Sequence, residues 1–284
     1  MNNLLVSFSG GETSAFMAQW LNRHYENLGY KNIVFVFANT GIEHEETYNF
    51  VKKCEDYFGF AIQWVEASVF QNERKSSGYW LTDYNNARRN GESFESVIKK
   101  YGIPNMAFPH CTRELKQNPI KAFAKDWFEG KPYDTAIGIR QDEFDRMNSK
   151  AKEYKFIYPL VDQNMIPATK PMINFYWRQM PFRLNLKSYQ GNCITCWKKS
   201  DKKLYQLAKE SPQYFAFFER MENEYSFANG VQYLFFRGNR TTGQLMQEAK
   251  QYAGDGLLDD SQQFDYQLDL LNGENCEIFT ECNN

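Results

Sequence analysis

Residues Ser7-Phe8-Ser9-Gly10-Gly11-Glu12-Thr13-Ser14 join an apolar run to a helical pattern, and their types suit the binding of an oxyanion. Two adjacent glycines let the backbone turn tightly and approach a ligand closely. The hydroxyls of Ser9, Thr13 and Ser14, with the free amides of a helix N-terminus, are donors for phosphate or sulfate oxygens. Arg140 and Arg146 follow another apolar run and offer two planar cations for a sulfate or a second phosphate, or else surface ion pairs with Asp142, Glu143 and Asp145. Lys116 has a similar standing. Cys193 and Cys196 have the spacing of a metal knuckle, with Gly191 supplying the tight turn, and Cys111 is a third candidate thiol. Cys54 falls on the apolar face of a helical pattern and reads as a core thiol. Cys276 and Cys282 stand in an acidic tail whose carboxylates oppose thiolate formation. No Ser-His-Asp arrangement is readable.

The elements that must position these residues are short buried strands alternating with amphipathic helices. Residues 3–9, 32–38, 61–66, 134–139 and 155–161 are short apolar runs flanked by turn signals, and they predict five strands. Residues 12–24 and 44–58 carry helical spacing, with His24 near the end of the first and His44 at the start of the second. This alternation predicts an α/β fold with a doubly wound, mostly parallel five-stranded sheet, in which ligands sit beyond the carboxyl ends of the strands. Residues 71–109 read as an insertion over those strand ends, a possible lid with a short helix at 92–101. Past about 190 the alternation gives way to helical stretches at 200–224 and 241–253 and then the acidic tail. The expected division is therefore 1–190 for the ligand-binding domain and 191–284 for a smaller, mainly helical region.

The chain has 284 residues, 17% of them aromatic, and a net charge of −2. It contains no tract near the ~18 consecutive apolar residues that a membrane helix needs. The N-terminus has no basic region or cleavage signal of a secreted protein, so the expected location is the cytoplasm, where six cysteines point to metal or redox chemistry rather than disulfides. The charge is uneven: residues 170–209 carry nine Lys or Arg against one Asp, and residues 253–284 carry eight Asp or Glu and no base. A local basic stretch suits a bound anion better than a whole surface given to nucleic acid.

Five segments in the same order resemble the phosphoadenosine phosphosulfate (PAPS) reductase branch of the PP-loop, adenine-nucleotide alpha-hydrolase-like superfamily. They are SFSGGETS, Phe37-Ala38-Asn39-Thr40-Gly41-Ile42-Glu43, Cys111-Thr112-Arg113-Glu114-Leu115-Lys116, Gly138-Ile139-Arg140-Gln141-Asp142-Glu143 with Arg146, and Gly191-Asn192-Cys193-Ile194-Thr195-Cys196. The last is similar to relatives found in phages and mobile elements. The resemblance covers residues 4–200. It implies phosphates or sulfate on Ser7, Ser9, Gly10, Gly11, Thr13 and Ser14, adenosine near Asn39, Thr40 and Gly41, and Arg140 and Arg146 at the anionic end. Many PP-loops have Lys where this chain has Glu12, which repels phosphate unless it points away or shares a Mg²⁺.

Cluster-bearing relatives imply a 4Fe-4S cluster on Cys111, Cys193 and Cys196, and His110 could instead complete a zinc site. Thiol-dependent reductases carry a nucleophilic cysteine in a C-terminal Glu-Cys segment, which Glu281-Cys282 partly matches. The reaction implied is reductive cleavage of PAPS or adenylyl sulfate to sulfite, with Cys282, Arg140 and Lys116 as catalytic residues and a thioredoxin-like reductant as partner. The alternatives are ATP-dependent sulfur insertion into DNA or tRNA, and a nucleotide- or redox-sensing module without turnover.

Overall fold

The computed structural model describes residues 2–228 and 230–254. Cys276, Cys282 and the rest of the acidic tail from residue 255 lie outside the described residues. The central sheet contains β1 (Asn3–Ser7), β2 (Asn32–Asn39), β3 (Ile62–Ser68), β4 (Gly78–Thr82), β5 (Tyr133–Ile137) and β6 (Phe156–Ile157). Their spatial order is β4-β3-β2-β1-β5-β6. All neighbours pair parallel except β3 and β4. Leu4, Leu5 and Val6 of β1 and Val36 of β2 have no exposed surface, as strands buried on both faces require.

The doubly wound, mostly parallel sheet is the predicted architecture, with six strands rather than five. The additional strand, β4, lies inside the segment expected to be an insertion. It hydrogen-bonds to the sheet on one side only and leaves Trp80 and Leu81 more than half exposed, so no buried apolar run announces it. The fifth predicted run shrinks to two residues at Phe156–Ile157, because Pro159 cannot donate to a ladder and the chain turns at Tyr158–Val161.

Helices α1 (Glu12–His24) and α2 (Glu45–Phe58) lie where the spacing predicts. His44 caps α2 by accepting from the Glu46 amide at 3.1 Å, and Gly59 ends it with a left-handed φ of 70°. Cys54 is fully buried in this layer. With α6 (Lys170–Gln179), these helices cover one face through Phe16, Phe50, Tyr176 and Trp177. On the other face Phe123 and Ala124 of α5 (Asn118–Trp127) pack on Leu5, Val34 and Val65.

A second core joins α3 (Glu92–Tyr101) to α7 (Asp201–Glu210), α8 (Ala216–Tyr225) and α9 (Thr242–Gln251). It packs Phe94, Val97 and Leu115 against Ile194, Trp197, Leu207, Phe218 and Leu245, so it draws on both sides of residue 190. Ser211 and Pro212 split the predicted 200–224 helix into α7 and α8. No helix among the described residues is long and apolar enough to cross a membrane.

Candidate functional site

The end of β1 and the start of α1 form the floor of a cavity of about 470 Å³. Gly10 turns the chain with φ 78°, and a Cβ there would lie 2.6 Å from Thr47 Cγ2, so only glycine fits this turn. The Ser14 hydroxyl donates to the Gly11 carbonyl at 2.9 Å and accepts from the Ser9 amide at 3.1 Å and the Ser9 hydroxyl at 3.0 Å. The loop is thus closed by its own side chains before any ligand arrives. Gly138, at the end of β5, passes so near that a Cβ would sit 3.3 Å from Ser14 Cα. That close approach brings Ile139, Arg140, Glu143 and Arg146 to the same cavity as Ser7, Ser9, Gly10, Gly11, Thr13 and Ser14.

Glu12 also lines this cavity, but its carboxylate is engaged by the basic segment. Its carboxylate accepts a forked pair from Arg183, Nε to Oε1 at 3.1 Å and Nη2 to Oε2 at 3.2 Å, and a further bond from the Leu184 amide at 3.3 Å. Its carbonyl accepts from Trp177 Nε1 at 3.0 Å. The acidic residue therefore serves as a clasp that binds the basic segment to the loop, and its negative charge is neutralised by a planar guanidinium. Beyond the clasp, Leu184, Leu186, Lys187 and Ser188 form the opposite wall of the cavity.

Arg140 is held rather than free. It donates to Asp142 at 3.0 Å and to the Thr13 hydroxyl at 3.3 Å, and lies 3.2 Å from Glu143. Glu143 also pairs with Arg146. Asp142 accepts from the Lys170 amide at 3.1 Å, which brings the N-terminus of α6 and its lysine to the rim. These pairs orient the two guanidiniums but do not remove them from the cavity wall.

Asn39 ends β2, Thr40 and Gly41 follow it, and none of the three lines this cavity. Asn39 has no exposed surface, and it donates to Glu66 at 2.7 Å and to the Arg88 carbonyl at 2.8 Å. It accepts from the Gly41 amide and from the Tyr48 hydroxyl, each at 2.9 Å. All four of its bonds hold the strand end together. Gly41 lies against Gly91, where a Cβ would meet a backbone nitrogen at 3.1 Å.

Thr40 instead faces a second chamber, of about 690 Å³, which Cys111, Cys193 and Cys196 also line. Cys111 and Lys116 reach it from one continuous helical segment, running through α4 (His110–Thr112), a π-helical turn Arg113–Gln117 and α5. A π turn inside a helix is frequent at functional sites because it re-aims side chains. Cys193 is brought in by an isolated bridge to Glu43 and by the Ile194 amide donating to the Ile42 carbonyl at 3.2 Å. Its sulfur lies 3.4 Å from the Thr40 hydroxyl and 3.9 Å from Glu43 Oε1. Burial pushes the Cys193 thiol up to about 12, with the Lys116 ammonium pulling the other way. Burial alone would lower Lys116, but Cys193, Glu43, Cys196 and Cys111 outweigh it and raise it. Lys116 lies 3.8 Å from Glu43. Burial also raises the Cys111 thiol.

Among the described residues, five cations (Lys116, Arg146, Lys198, Lys199 and Lys203) and no carboxylate line this chamber, together with the rings of Phe94, Trp197 and Phe218. His110 is not part of it. Its Nε2 donates to the Gly102 carbonyl at 3.1 Å, and its ring lies against Tyr101. Among the described residues no three His, Cys, Asp or Glu side chains gather into a group that could hold a metal ion.

The glycines, serines, arginines and cysteines of these two cavities were legible as motifs. Lys170, Lys187 and Lys203 were visible only as part of a basic stretch, and Glu43 only as part of a motif, since nothing in their local spacing marks where the chain returns to the sheet. The pairing of Glu12 with Arg183 spans 171 residues and leaves no sequence signal.

The chain matches the phosphoadenosine phosphosulfate reductase domain over residues 3–155. It is 29% identical to the uncharacterized nin region protein ORF290 of Escherichia phage lambda, over 97% of this chain and 94% of that protein. It is 25% identical to the uncharacterized protein MJ0066 of Methanocaldococcus jannaschii over 78% of this chain, which spans only 42% of that longer protein. The part of the loop cavity built by the carboxyl ends of β1 and β5 lies within the matched residues, while its wall from Lys170 to Lys203 lies beyond them, and the chain belongs to the phosphoadenosine phosphosulfate reductase domain family, with a phage relative aligned over 97% of it.

Proposed function

We propose that the protein binds an adenine sulfonucleotide and cleaves it reductively, releasing sulfite and AMP or its 3′-phosphate. One observation carries this reading: the phosphate-type loop cavity shares wall residues with a chamber lined by three thiols. A nucleotide whose phosphate lies on Ser9, Gly10, Gly11 and Ser14 would direct its terminal sulfonate past Arg140 and Arg146 toward those thiols. A thiolate attacks the sulfur, the sulfur–oxygen bond to the phosphate breaks, and the nucleotide leaves with the electron pair. A second thiol then attacks the S-sulfocysteine, forming a disulfide and releasing sulfite. The two electrons come from the two thiols, and a thioredoxin-like dithiol restores them. Lys116 would stabilise thiolates in the chamber, and Arg140 the charge on the departing phosphate.

The attacking thiol is one of Cys111, Cys193, Cys196 or, from beyond the described residues, Cys282. Incubation with adenylyl sulfate or PAPS without reductant should leave the chain heavier by one sulfo group, and peptide mapping identifies its cysteine. An unmodified chain and no nucleotide product, with either sulfonucleotide, would sink the proposal. Tight nucleotide binding without product would point to a sensing module instead.

A second reading has the same fold and places an ATP-activated nucleic acid in the second chamber, with sulfur inserted from a thiol-borne donor. The five cations, with no carboxylate among the described lining residues, favour it. Binding of DNA or tRNA that weakens steeply between low and moderate salt would support it, since phosphate contacts release counterions. Salt-insensitive binding, or none, would exclude it.

A further inference from the structure

The two cavities have three lining residues in common, Arg146, Asn192 and Lys203. Among the described residues no free carboxylate lies at this seam: Glu12 is clasped by Arg183, Glu143 is paired with both Arg140 and Arg146, and no acidic residue lines the second chamber. The Lys203 ammonium takes part in no ion pair among the described residues, and the Asn192 carboxamide makes no hydrogen bond to them.

The backbone of Asn192 is left-handed, with φ 58°. A non-glycine residue costs about 1 kcal/mol or more in that region, and Asn bears it better than most. The chain on both sides is pinned. The Lys199 ammonium donates to the Tyr189 carbonyl at 2.7 Å and the Gly191 carbonyl at 2.8 Å, and Ile194 and Cys193 are tied to Ile42 and Glu43. The pinned loop thus presents one unengaged amide, exposed at the junction of two cavities that otherwise share only Arg146, which is paired with Glu143, and Lys203.

We propose that this seam is an oxyanion subsite with Asn192 as its positioning residue. The Asn192 carboxamide donates to a tetrahedral oxyanion at the end of the nucleotide's phosphate chain, Lys203 balances its charge, and the pair holds it facing the thiols. The subsite rests on the adenine-nucleotide reading of the loop cavity. Sulfonate and terminal phosphoryl groups share the chemistry required, and the choice of nucleotide separates them.

The test is calorimetric titration of the full chain with adenylyl sulfate, ATP and AMP. AMP carries the shared adenosine and first phosphate but lacks the terminal group. Asn192→Gly keeps a backbone that accepts positive φ, so its thermal unfolding should match wild type. It should bind adenylyl sulfate or ATP about tenfold more weakly while AMP binding is unchanged. Asn192→Asp, which sets a carboxylate against the anion, should lose more. Lys203→Gln lies outside the strained loop and should shift the same nucleotide in the same direction, so it carries the test if Asn192→Gly fails to fold. A loss confined to adenylyl sulfate assigns the subsite to sulfonate, and one confined to ATP assigns it to phosphoryl. Variants that bind all three nucleotides as wild type does, or that lose AMP affinity equally, overturn the subsite alone. A wild-type chain that binds none of the three overturns the nucleotide reading, and the subsite with it.

Discussion

Glu12 decides how the loop can work. A carboxylate in the first turn of α1 would repel the phosphate that the rest of the loop invites, and its forked pair with Arg183 removes that conflict. The same pair fastens the segment bearing Lys187 and Ser188 over the cavity. Arg183→Ala should therefore destabilise the fold by about 2 kcal/mol in urea unfolding, because it strands a buried carboxylate. The double variant Glu12→Ala/Arg183→Ala should cost clearly less than the sum of the two single changes, by ~1 kcal/mol or more. Additive costs would mean that the pair carries no coupling. Nothing local distinguishes Glu12 from an ordinary solvated acid, so its partner could not be read from the sequence, whereas the hydroxyls and glycines beside it could. Asn39 stands in a motif expected near adenosine, and of its internal bonds to Glu66, Arg88, Gly41 and Tyr48, those to Glu66 and Arg88 span residues too far apart to be read from local spacing.

Among the elements, the π-helical turn at Arg113–Gln117 does most to shape the thiol chamber, because it carries Lys116 and joins the turn bearing Cys111 to the body of α5. Glu114 anchors this turn to the strand side. Its carboxylate accepts from Ser77 through the amide at 3.1 Å and the hydroxyl at 2.8 Å, and from Arg113 at 2.8 Å. Burial alone would raise its pKa, but these donors lower it from the usual 4.5 to about 2. A carboxyl lowered on folding stabilises the protein fully above its unfolded value and loses that contribution as pH falls from about 4.5 toward 2. Glu114→Gln should be less stable by ~2 kcal/mol at neutral pH and should show a shallower loss of stability across that acid window. An unchanged acid limb would contradict the anchoring role. The strand and helix cores were legible because burial on both sheet faces writes long apolar runs. Edge strand β4 was not, since exposed Trp80 and Leu81 alternate with nothing buried, and the two-residue β6 is set by Pro159 rather than by its own apolar content.

Over the whole molecule, the second core decides which parts can stand alone. Phe94, Val97, Ile98 and Leu115 are covered by α7, α8 and α9, and a Cβ on Gly91 would lie 2.3 Å from Phe217. A chain truncated at residue 190 would expose that apolar layer, so it should aggregate or lose cooperative unfolding. A soluble, cooperatively folding fragment would instead show that residues 1–190 are self-sufficient. The sequence marks a change of pattern near 190, but the packing across it comes from the lone helix at 92–101, whose partners lie a hundred residues on. The same arrangement sets the thiol chamber beside the loop cavity, and the central functional claim depends on that adjacency. Its most direct test is chromatography of the nucleotide products after anaerobically purified protein meets ATP, adenylyl sulfate and PAPS in turn with reduced thioredoxin. AMP with sulfite from adenylyl sulfate, or the 3′-phosphate of AMP with sulfite from PAPS, is the predicted result. Intact sulfonucleotides alongside AMP or adenylated product from ATP alone would contradict it.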